Sequence, residues 1–443
     1  MLNTKLVLVS AFALAHVALT SAAKVIVKSL YYDTDKYYTE ITIGNPAQTF
    51  RVALDTDSTL TWVHGIECPD MDCNRTRFNN IGDVASKGYK SIGDGDEQFY
   101  SYDALNRKSY IAGFLGTDTI SLQGLAVEQD FVPVSESHKV FRTFADVDAK
   151  YTPEGVLGLG VSRSISTRAI KSLRSVSMPR PYTSFVRNLA EKGLIDKSFS
   201  LYFNDIPDRS NTNSEFVLGG FNQDRINEAP HYIPVYRPEE SNTGIHWQVF
   251  GQAFRVSELE WRPKLLNNQV AHPDKTAPGD IISSVIYEER FERNRNEVFR
   301  FATGIPFSKL KSSYNNRLYK AFTGVEPGKK HKLEPNSYVI ECGYQAEYSK
   351  IMRISFSHQL DSDTDPKPVH VEFPLSKLVR LYFDDTGTQQ GCVWGPQDTE
   401  DDSDQVMYLG QDILRNIYMT FDFNDYRIGL ASAKDTPTKI IVE

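Results

Sequence analysis

The sequence predicts an all-β fold, because short strand-like segments far outnumber helical ones. The strand-like segments are β-branched or aromatic and are bounded by Gly, Asn or Pro, as is typical of strands that end in turns. Helical patterns stand out at residues 184–192 and 287–298. The chain of 443 residues is 40% hydrophobic, which provides enough apolar material for two cores. The clearest strand predictions are residues 38–43, 49–54, 199–203 and 216–218.

The N-terminal residues predict an export signal. Lys5 precedes an apolar run over residues 6–20, and residues 21–23 form a small-residue cleavage pattern. The run is shorter than the ~20 residues that span a bilayer. Residues 1–23 are therefore predicted to be a signal peptide, and the mature chain to begin at Lys24. We expect a secreted protein, extracellular or in the endomembrane lumen, with no transmembrane segment.

The cysteines favour two disulfides, because the chain is predicted to be exported. Cys68 and Cys73 suit a local bridge, whereas Cys342 and Cys392 would close a longer loop. No CxxC pair and no His-x-x-x-His spacing occurs, so neither a metal site nor a cofactor is expected. Asn74 begins an Asn-Arg-Thr sequon and is a predicted glycosylation site.

The charge pattern excludes nucleic acid as a partner. Lys and Arg total 49 against 57 Asp and Glu, which gives a formal net charge of −8. Without a clustered basic stripe the chain offers no electrostatic footprint for phosphates.

A series of distinctive segments lies at residues 37–46, 50–62, 113–125, 154–160, 216–220, 233–235, 247–249 and 409–433. Their order is that of the pepsin family of aspartic peptidases, which the chain resembles over nearly all of its mature length. The resemblance implies a bilobal, pepsin-like double β-barrel with a cleft between the lobes and few short helices. The lobes are predicted to be residues 24–230 and 231–443.

The resemblance also implies a catalytic site. In this family each lobe contributes an Asp on an Asp-Thr/Ser-Gly loop, and a flap with a Tyr covers a polypeptide substrate. Two carboxylates share one proton and hold a water, so that one acts as base while the other acts as acid. Asp55 is the first predicted catalytic residue, Thr56 and Ser58 are predicted to bind substrate beside it, and Tyr102 is the predicted flap residue, with Tyr100 behind it.

The sequence departs from the family at the first loop and at the flap. Asp57 stands where the family has Gly, which adds a β-carbon and a third negative charge beside the catalytic position. Like charges a few ångströms apart cost several kcal/mol unless one is protonated or paired. The flap segment at residues 99–107 has no Gly at its tip.

The second loop departs further, because no Asp-Thr-Gly or Asp-Ser-Gly lies between Trp247 and Cys342. Three placements of the second catalytic position compete. Asp280 is followed at some distance by two hydroxyl residues, Asp274 has a Lys beside it, and Ser283 follows an apolar lead-in but is not acidic. We favour Asp280 as the second catalytic residue.

Three hypotheses follow for function. The leading one is a pseudopeptidase, a monomer that binds polypeptide in or near the cleft. The second is an active acid endopeptidase that uses Asp55 with Asp280 or Asp274. The third is an inhibitor-like or receptor-like module that acts through a surface loop within residues 307–332.

Overall fold

The structure is a computed structural model. It describes residues 25–29, 31–33, 36–69, 73, 76–79, 85–92, 98–101, 110–138, 140, 153–161, 182–205, 213–237, 245–263, 279–291, 297–330, 337–357, 368–383, 389–399, 402–403 and 406–442. The predicted signal peptide at residues 1–23, the sequon residue Asn74, the flap residue Tyr102 and Asp274 lie outside the described residues.

Strands dominate the described residues, as predicted. The helices are α1 (Phe185–Glu191), α2 (Ser312–Thr323) and α3 (Gln411–Leu414), with short 3-10 helices at Gln223–Arg225, Cys342–Ala346 and Leu375–Leu378. In chain order the strands are β1 (Val25–Ser29), β2 (Tyr31–Asp33), β3 (Lys36–Ile43), β4 (Gln48–Asp55), β5 (Trp62–His64), β6 (Lys90–Ser91), β7 (Gln98–Ser101), β8 (Tyr110–Gly113), β9 (Gly116–Leu122), β10 (Leu125–His138), β11 (Gly155–Gly158), β12 (Ser198–Tyr202), β13 (Ser214–Leu218), β14 (His231–Pro234), β15 (Gln248–Pro263), β16 (Gly279–Arg290), β17 (Val298–Phe301), β18 (Lys309–Leu310), β19 (Val339–Ile340), β20 (Lys350–Ser357), β21 (Val369–Pro374), β22 (Val379–Phe383), β23 (Gln389–Trp394), β24 (Gln397–Asp398), β25 (Val406–Leu409), β26 (Ile417–Asp422), β27 (Arg427–Ser432) and β28 (Lys439–Val442).

These strands form two lobes joined by a central sheet. Among the described residues, the first lobe holds a 10-stranded sheet in the order β6-β9-β3-β4-β11-β5-β10-β8-β7, with β2 beside β3, and the second a 9-stranded sheet in the order β24-β18-β25-β17-β15-β20-β21-β28, with β16 beside β15. The second lobe also holds the small sheet β19-β23-β22. A 6-stranded sheet, β1-β13-β12-β26-β27-β14, takes strands from both halves of the chain. The predicted bilobal all-β fold is confirmed, whereas the lobe boundary at residue 230 stays a prediction.

The central sheet is held by aromatic side chains buried between the lobes. Phe199 on β12 stacks on Phe421 on β26 with ring centroids 4.7 Å apart, and Trp247 packs edge-on against Phe421 at 5.1 Å. The indole Nε1 of Trp247 donates to the carbonyl oxygen of Leu159 at 2.9 Å. A buried indole N–H needs such a partner, and here the partner belongs to the other lobe.

One of the two predicted helices is confirmed and the other is wrong. Helix α1 buries Phe185, Val186 and Leu189 on one face, as the pattern at residues 184–192 predicts. The segment 287–298 is instead strand at both ends, because β16 continues to Arg290 and β17 begins at Val298. Backbone pairing of β16 with β15 overrides the local helical pattern there.

Helix α2 is an element that the sequence reading missed. It buries Tyr314, Leu318 and Phe322, which are spaced as successive turns of one helical face. The helix lies within residues 307–332, the segment considered as a surface loop for an inhibitor-like or receptor-like module. Because its apolar face belongs to the core, the segment is not a projecting loop over these positions.

Both predicted disulfides are confirmed. Cys68 bonds to Cys73 with Cα atoms 5.7 Å apart, and Cys342 bonds to Cys392 with Cα atoms 5.2 Å apart. In the described part of the chain, no helix has the length and apolar character needed to cross a membrane.

Candidate active site

The loop that carries Asp55 follows the buried strand β4. Strand β11 runs parallel to β4, with Leu157 opposite Leu54 and Gly158 opposite Asp55. A Cβ atom at Gly158 would lie 2.4 Å from the carbonyl group of Thr59. Glycine is therefore needed here, because any side chain would push the loop away from its supporting strand.

The second lobe repeats this construction with other residues. Strand β25 runs parallel to β17, with Leu409 opposite Phe301. The N–H of Ala302 donates to the carbonyl oxygen of Leu409 at 3.0 Å. A Cβ atom at Gly410 would lie 2.6 Å from the backbone of Phe307. The loop that starts at Ala302 is therefore built in the same way as the loop that starts at Asp55.

Two threonines join these loops through reciprocal hydrogen bonds. The N–H of Thr56 donates to Thr303 Oγ1 and the N–H of Thr303 donates to Thr56 Oγ1, both at 3.1 Å. Thr56 Oγ1 donates to the carbonyl oxygen of Phe301 at 2.5 Å, and Thr303 Oγ1 donates to that of Leu54 at 2.9 Å. Each threonine thus makes the same contacts to the other lobe.

This pairing identifies which residue stands opposite Asp55. Thr56 corresponds to Thr303 and Leu54 corresponds to Phe301, so Asp55 corresponds to Ala302. The site therefore presents one carboxylate and one methyl group at its two equivalent positions. The position after the threonine is Asp57 in the first loop and Gly304 in the second.

Asp55 is buried against the second loop. Its side chain accepts a hydrogen bond from the N–H of Asp57 at 2.9 Å, and the residue is 8% exposed. A Cβ atom at Gly304 would lie 2.4 Å from Asp55 Cγ, so only glycine lets the carboxyl group approach this closely. Burial raises the pKa of Asp55 to about 6, the charge of Asp57 adds to that rise, and the charge of Lys36 opposes it.

Lys36 brings a cation into the same space. Its Nζ donates to the carbonyl oxygen of Gly304, which lies in the second loop, while Lys36 itself begins β3 of the first lobe. The ammonium group therefore lies near Asp55 on the side of the second loop, where Ala302 takes the place of a carboxylate.

Asp57 is compensated by basic neighbours from the second half of the chain. Its Oδ1 lies 3.3 Å from Arg300 Nη1 and 3.4 Å from His246 Nδ1, with 30% of the side chain exposed. Burial alone would raise the pKa of Asp57, but Arg300 and His246 outweigh it and lower that pKa to about 2. Arg300 is fixed in turn by Gln248 Oε1 at 3.0 Å and lies 5.3 Å from the ring centroid of Tyr408.

The residues predicted to bind substrate have separate outcomes. Thr56 is 1% exposed and holds the two loops together, and its role in substrate binding stays a prediction. Ser58 is partly exposed, and its Oγ is 3.4 Å from the carbonyl oxygen of Leu60, a weak hydrogen bond. Tyr102 lies outside the described residues, between strands β7 and β8, which pair antiparallel, and its role as a flap residue stays a prediction.

The structure does not place the backbone of Asp280 beside Asp55. Asp280 lies on β16 opposite Arg262 of β15, whereas β15 meets strand β17, which leads to Ala302, at Phe250 and the residues before it. Strands rise about 3.3 Å per residue, so positions 250 and 262 are separated by on the order of 40 Å along β15. Ser283, on the same strand, is exposed.

The sequence did not predict four residues that the structure places at the site: Ala302, Thr303, Gly304 and Lys36. The available signal was the mainly apolar strand Val298–Phe301, followed after one residue by Thr303-Gly304. A search that requires an acidic residue passes over such a loop when the acid itself has been replaced. Among the residues that the structure describes, no group of three or more His, Cys, Asp or Glu side chains could hold a metal ion.

Comparison with known proteins agrees with this construction. The sequence model of the family described as "Eukaryotic aspartyl protease" matches residues 36–262 and 290–433. Vacuolar protease A of Aspergillus fumigatus is 29% identical over 231 residues, which cover 51% of this chain and 50% of that protein. Cathepsin E of Aquarana catesbeiana is 30% identical over 229 residues, 51% of this chain and 49% of that protein. Renin of Ovis aries is 29% identical over 225 residues, which cover 51% of this chain and 48% of that protein. The chain spans about half the length of the curated relatives it matches.

Proposed function

Because this chain belongs to the eukaryotic aspartyl protease family, we propose that it is a pseudopeptidase that binds extended polypeptide in the interlobe cleft and does not cleave it. The observation that carries the proposal is Ala302 at the position equivalent to Asp55.

Peptide hydrolysis by a carboxylate pair needs an acid and a base in the same step. One carboxylate activates the water while the other donates a proton to the substrate carbonyl. At any moment Asp55 can act as either the acid or the base but not as both, and the methyl group of Ala302 can act as neither. Burial raises the pKa of Asp55 to about 6 against the opposing charge of Lys36, so in acid Asp55 is mostly protonated and no second carboxylate is present to act as the base.

The parts of the site that do not perform chemistry are retained. The threonine contacts between the loops are complete, and strands β7 and β8, which lie on either side of the predicted flap residue Tyr102, pair with each other. An extended peptide can bind to such strand edges through main-chain hydrogen bonds. One relative is named vacuolar protease A, and we carry over from it the polypeptide as ligand but not its cleavage.

The proposal also includes the remaining predictions from the sequence. They are a signal peptide over residues 1–23, secretion to the extracellular space or the endomembrane lumen, glycosylation at Asn74, and lobes at residues 24–230 and 231–443.

The proposal is tested by offering an unfolded polypeptide, fluorescein-labelled and carboxymethylated albumin, to the purified chain between about pH 3 and 6. We expect binding of the unfolded albumin, no binding of native albumin, and no fragments above those produced by an Asp55→Ala variant. Cleavage by the wild type that disappears in Asp55→Ala would overturn the proposal.

A gain-of-function variant tests the role of Ala302 directly. Ala302→Asp places a second carboxylate opposite Asp55, and Ala302→Asn is the matched control of equal size without charge. We expect cleavage in acid from Ala302→Asp, more of it when Asp57→Gly is added, and none from Ala302→Asn. A folded protein with both Ala302→Asp and Asp57→Gly that never cleaves would show that the missing carboxylate is not the feature that prevents catalysis.

A further inference from the structure

The second loop has no acid at the position equivalent to Asp55. Ala302 occupies that position, and the loop residues 302–304 carry no charged side chain. Asp55 nevertheless lies close to the second loop, since a Cβ atom at Gly304 would be 2.4 Å from Asp55 Cγ. A carboxyl group from a ligand can therefore approach Asp55 on this side without meeting a like charge of the second loop.

Lys36 adds a positive charge on the same side. Its Nζ donates to the carbonyl oxygen of Gly304, and its charge acts on Asp55. An ammonium group is a compact charge with three donors on a flexible stem, so it can bind a carboxylate and remain at this site. Lys36 and Gly304 are both partly exposed, so a ligand can reach this side of the site from solvent.

The charges of the site favour an anion in acid. Burial raises the pKa of Asp55 to about 6, so Asp55 is mostly protonated and neutral at about pH 5. Arg300 and His246 contact Asp57, the other acid of the first loop. The cations Lys36 and Arg300 then outnumber the remaining anion Asp57, and a surplus of positive charge attracts an anion.

Given the proposed function, on which this inference rests, we propose that the bound polypeptide supplies the missing acid: one of its carboxylates binds between Asp55 and Lys36, beside Ala302. The protonated Asp55 donates a hydrogen bond to this carboxylate, and Lys36 donates another. Two aspartates that share one proton form the pair of an active peptidase. Here the chain provides one member of such a pair and the ligand provides the other.

Two groups of a polypeptide offer this chemistry. One is the carboxylate at the C-terminus, and the other is the side chain of a Glu or Asp. Both are ionised at about pH 5, because their ordinary pKa values lie near 3.5 to 4.3. The ligand class is therefore a polypeptide with a carboxylate at the point where it passes Asp55, from either source.

Competition against the fluorescein-labelled unfolded albumin at about pH 5 tests this ligand class. The competitors are acetylated octapeptides of neutral residues that differ in a single group. One pair compares a C-terminal acid with a C-terminal amide, and the other compares a central Glu with a central Gln in the amide form. We expect the carboxylate form to compete about tenfold better in one pair or in both, and the pair that shows the difference identifies the source.

Substitutions of Lys36 test whether the cation recognises the carboxylate. Lys36→Met keeps most of the length of the side chain but removes its charge. We expect it to reduce the preference for the carboxylate form at least about fivefold and to leave the affinity for the amide form unchanged. The matched control Lys36→Arg keeps the charge and should keep the preference. A purely structural role of Lys36 would weaken the binding of both forms alike.

The proton of Asp55 is tested by pH. Among the described residues, Lys36 and Asp57 are the charged groups that act on Asp55, and Arg300 and His246 contact Asp57. At about pH 8 Asp55 is ionised and repels the carboxylate of the ligand, so the preference should disappear. Asp55→Asn keeps a donor of similar size that does not titrate and leaves His246 in place. Its preference should therefore stay constant between about pH 5 and 8.

The outcomes separate this proposal from the proposed function. A preference below about twofold in both peptide pairs would overturn the carboxylate proposal. So would an equal preference in the wild type and Lys36→Met, or a wild-type preference that does not change with pH. In each of these cases the proposed function still stands if the unfolded albumin is bound and not cleaved. Absent binding of the unfolded albumin, or its cleavage by the wild type, overturns both.

Discussion

The two loops at the centre of the molecule share a scaffold and differ in chemistry. Both follow a strand that is paired in parallel, both are supported by a Leu-Gly pair of the neighbouring chain segment, and both contribute a threonine to the contact between the lobes. The first loop reads Asp55-Thr56-Asp57 and the second reads Ala302-Thr303-Gly304. The shared threonine holds the lobes together, whereas the positions that would activate water differ between the two loops.

The acidic residues of the first loop also differ from each other. Asp55 is buried and faces the second loop, and its pKa is raised to about 6. Asp57 is partly exposed and paired with Arg300 and His246, and its pKa is lowered to about 2. One acid thus opposes folding when it ionises, and the other supports folding when it ionises.

The largest effect should come from the contact that the two loops share. Thr303→Ala leaves the N–H of Thr56 and the carbonyl oxygen of Leu54 buried without this partner. At 1–3 kcal/mol for each such group, we expect a loss of about 4 kcal/mol in the free energy of unfolding, measured by urea denaturation. The control Thr303→Ser keeps the hydroxyl and should lose about 1 kcal/mol. Equal losses would mean that the contact acts through packing and not through hydrogen bonds.

The second effect concerns the buried carboxylate. The pKa of Asp55 rises from 3.8 to about 6 on folding, so the folded state holds the proton more tightly, and stability falls as the pH rises from about 4 to 6. Asp55→Asn removes that titration and should be more stable than the wild type by about 3 kcal/mol above pH 6. Below pH 4 the two proteins should be equally stable. Urea denaturation across this range measures the difference, and a constant difference would contradict the raised pKa.

The third effect has the opposite sign. The pKa of Asp57 falls from 3.8 to about 2 on folding, so its contribution to stability is present above pH 4 and is lost as the pH falls towards 2. Asp57→Asn should lose about 1 to 2 kcal/mol at neutral pH, after allowance for solvent screening of a side chain that is 30% exposed.

A double-mutant cycle assigns this third effect to its cause. Arg300→Met keeps much of the packing but removes the charge beside Asp57. If Arg300 supplies the compensation, then Asp57→Asn should cost at least about 1 kcal/mol less in the Arg300→Met background. Additive losses would show that Asp57 owes its stabilisation to other groups.

Much of the fold could be predicted from the sequence, because strands leave local patterns and the segments that resemble the family keep their order along the chain. Strands such as β4 and β26 are apolar runs bounded by turns, and the segments that resemble the family follow one another along the chain. The long strand β16 was misread in part, because the pairing that forms it comes from β15 and not from its own propensity.

The site was harder to predict, because its identity depends on contacts between distant residues. Asp55 could be found from its own loop. Ala302 could not be found by searching for an acid, since its position is defined by Thr303, which contacts Thr56 from the other lobe. The compensation of Asp57 by Arg300 likewise joins residues far apart in sequence, and only the fold brings them together.

The smallest effect concerns Ser58, a hydroxyl in the first loop that the second lobe does not contact through any hydrogen bond seen in the described residues. Its Oγ donates to the carbonyl oxygen of Leu60 at 3.4 Å, which is long for a hydroxyl hydrogen bond, and the side chain is partly exposed. We expect Ser58→Ala to change the free energy of unfolding by less than about 0.5 kcal/mol, because water can satisfy the carbonyl group in its place. When Ser58→Ala is measured beside Thr303→Ala by the same denaturation, the comparison distinguishes a hydroxyl that joins the lobes from one that contacts only its own loop. A loss comparable to that of Thr303→Ala would mean that the first loop is held by its own residues as much as by the second lobe.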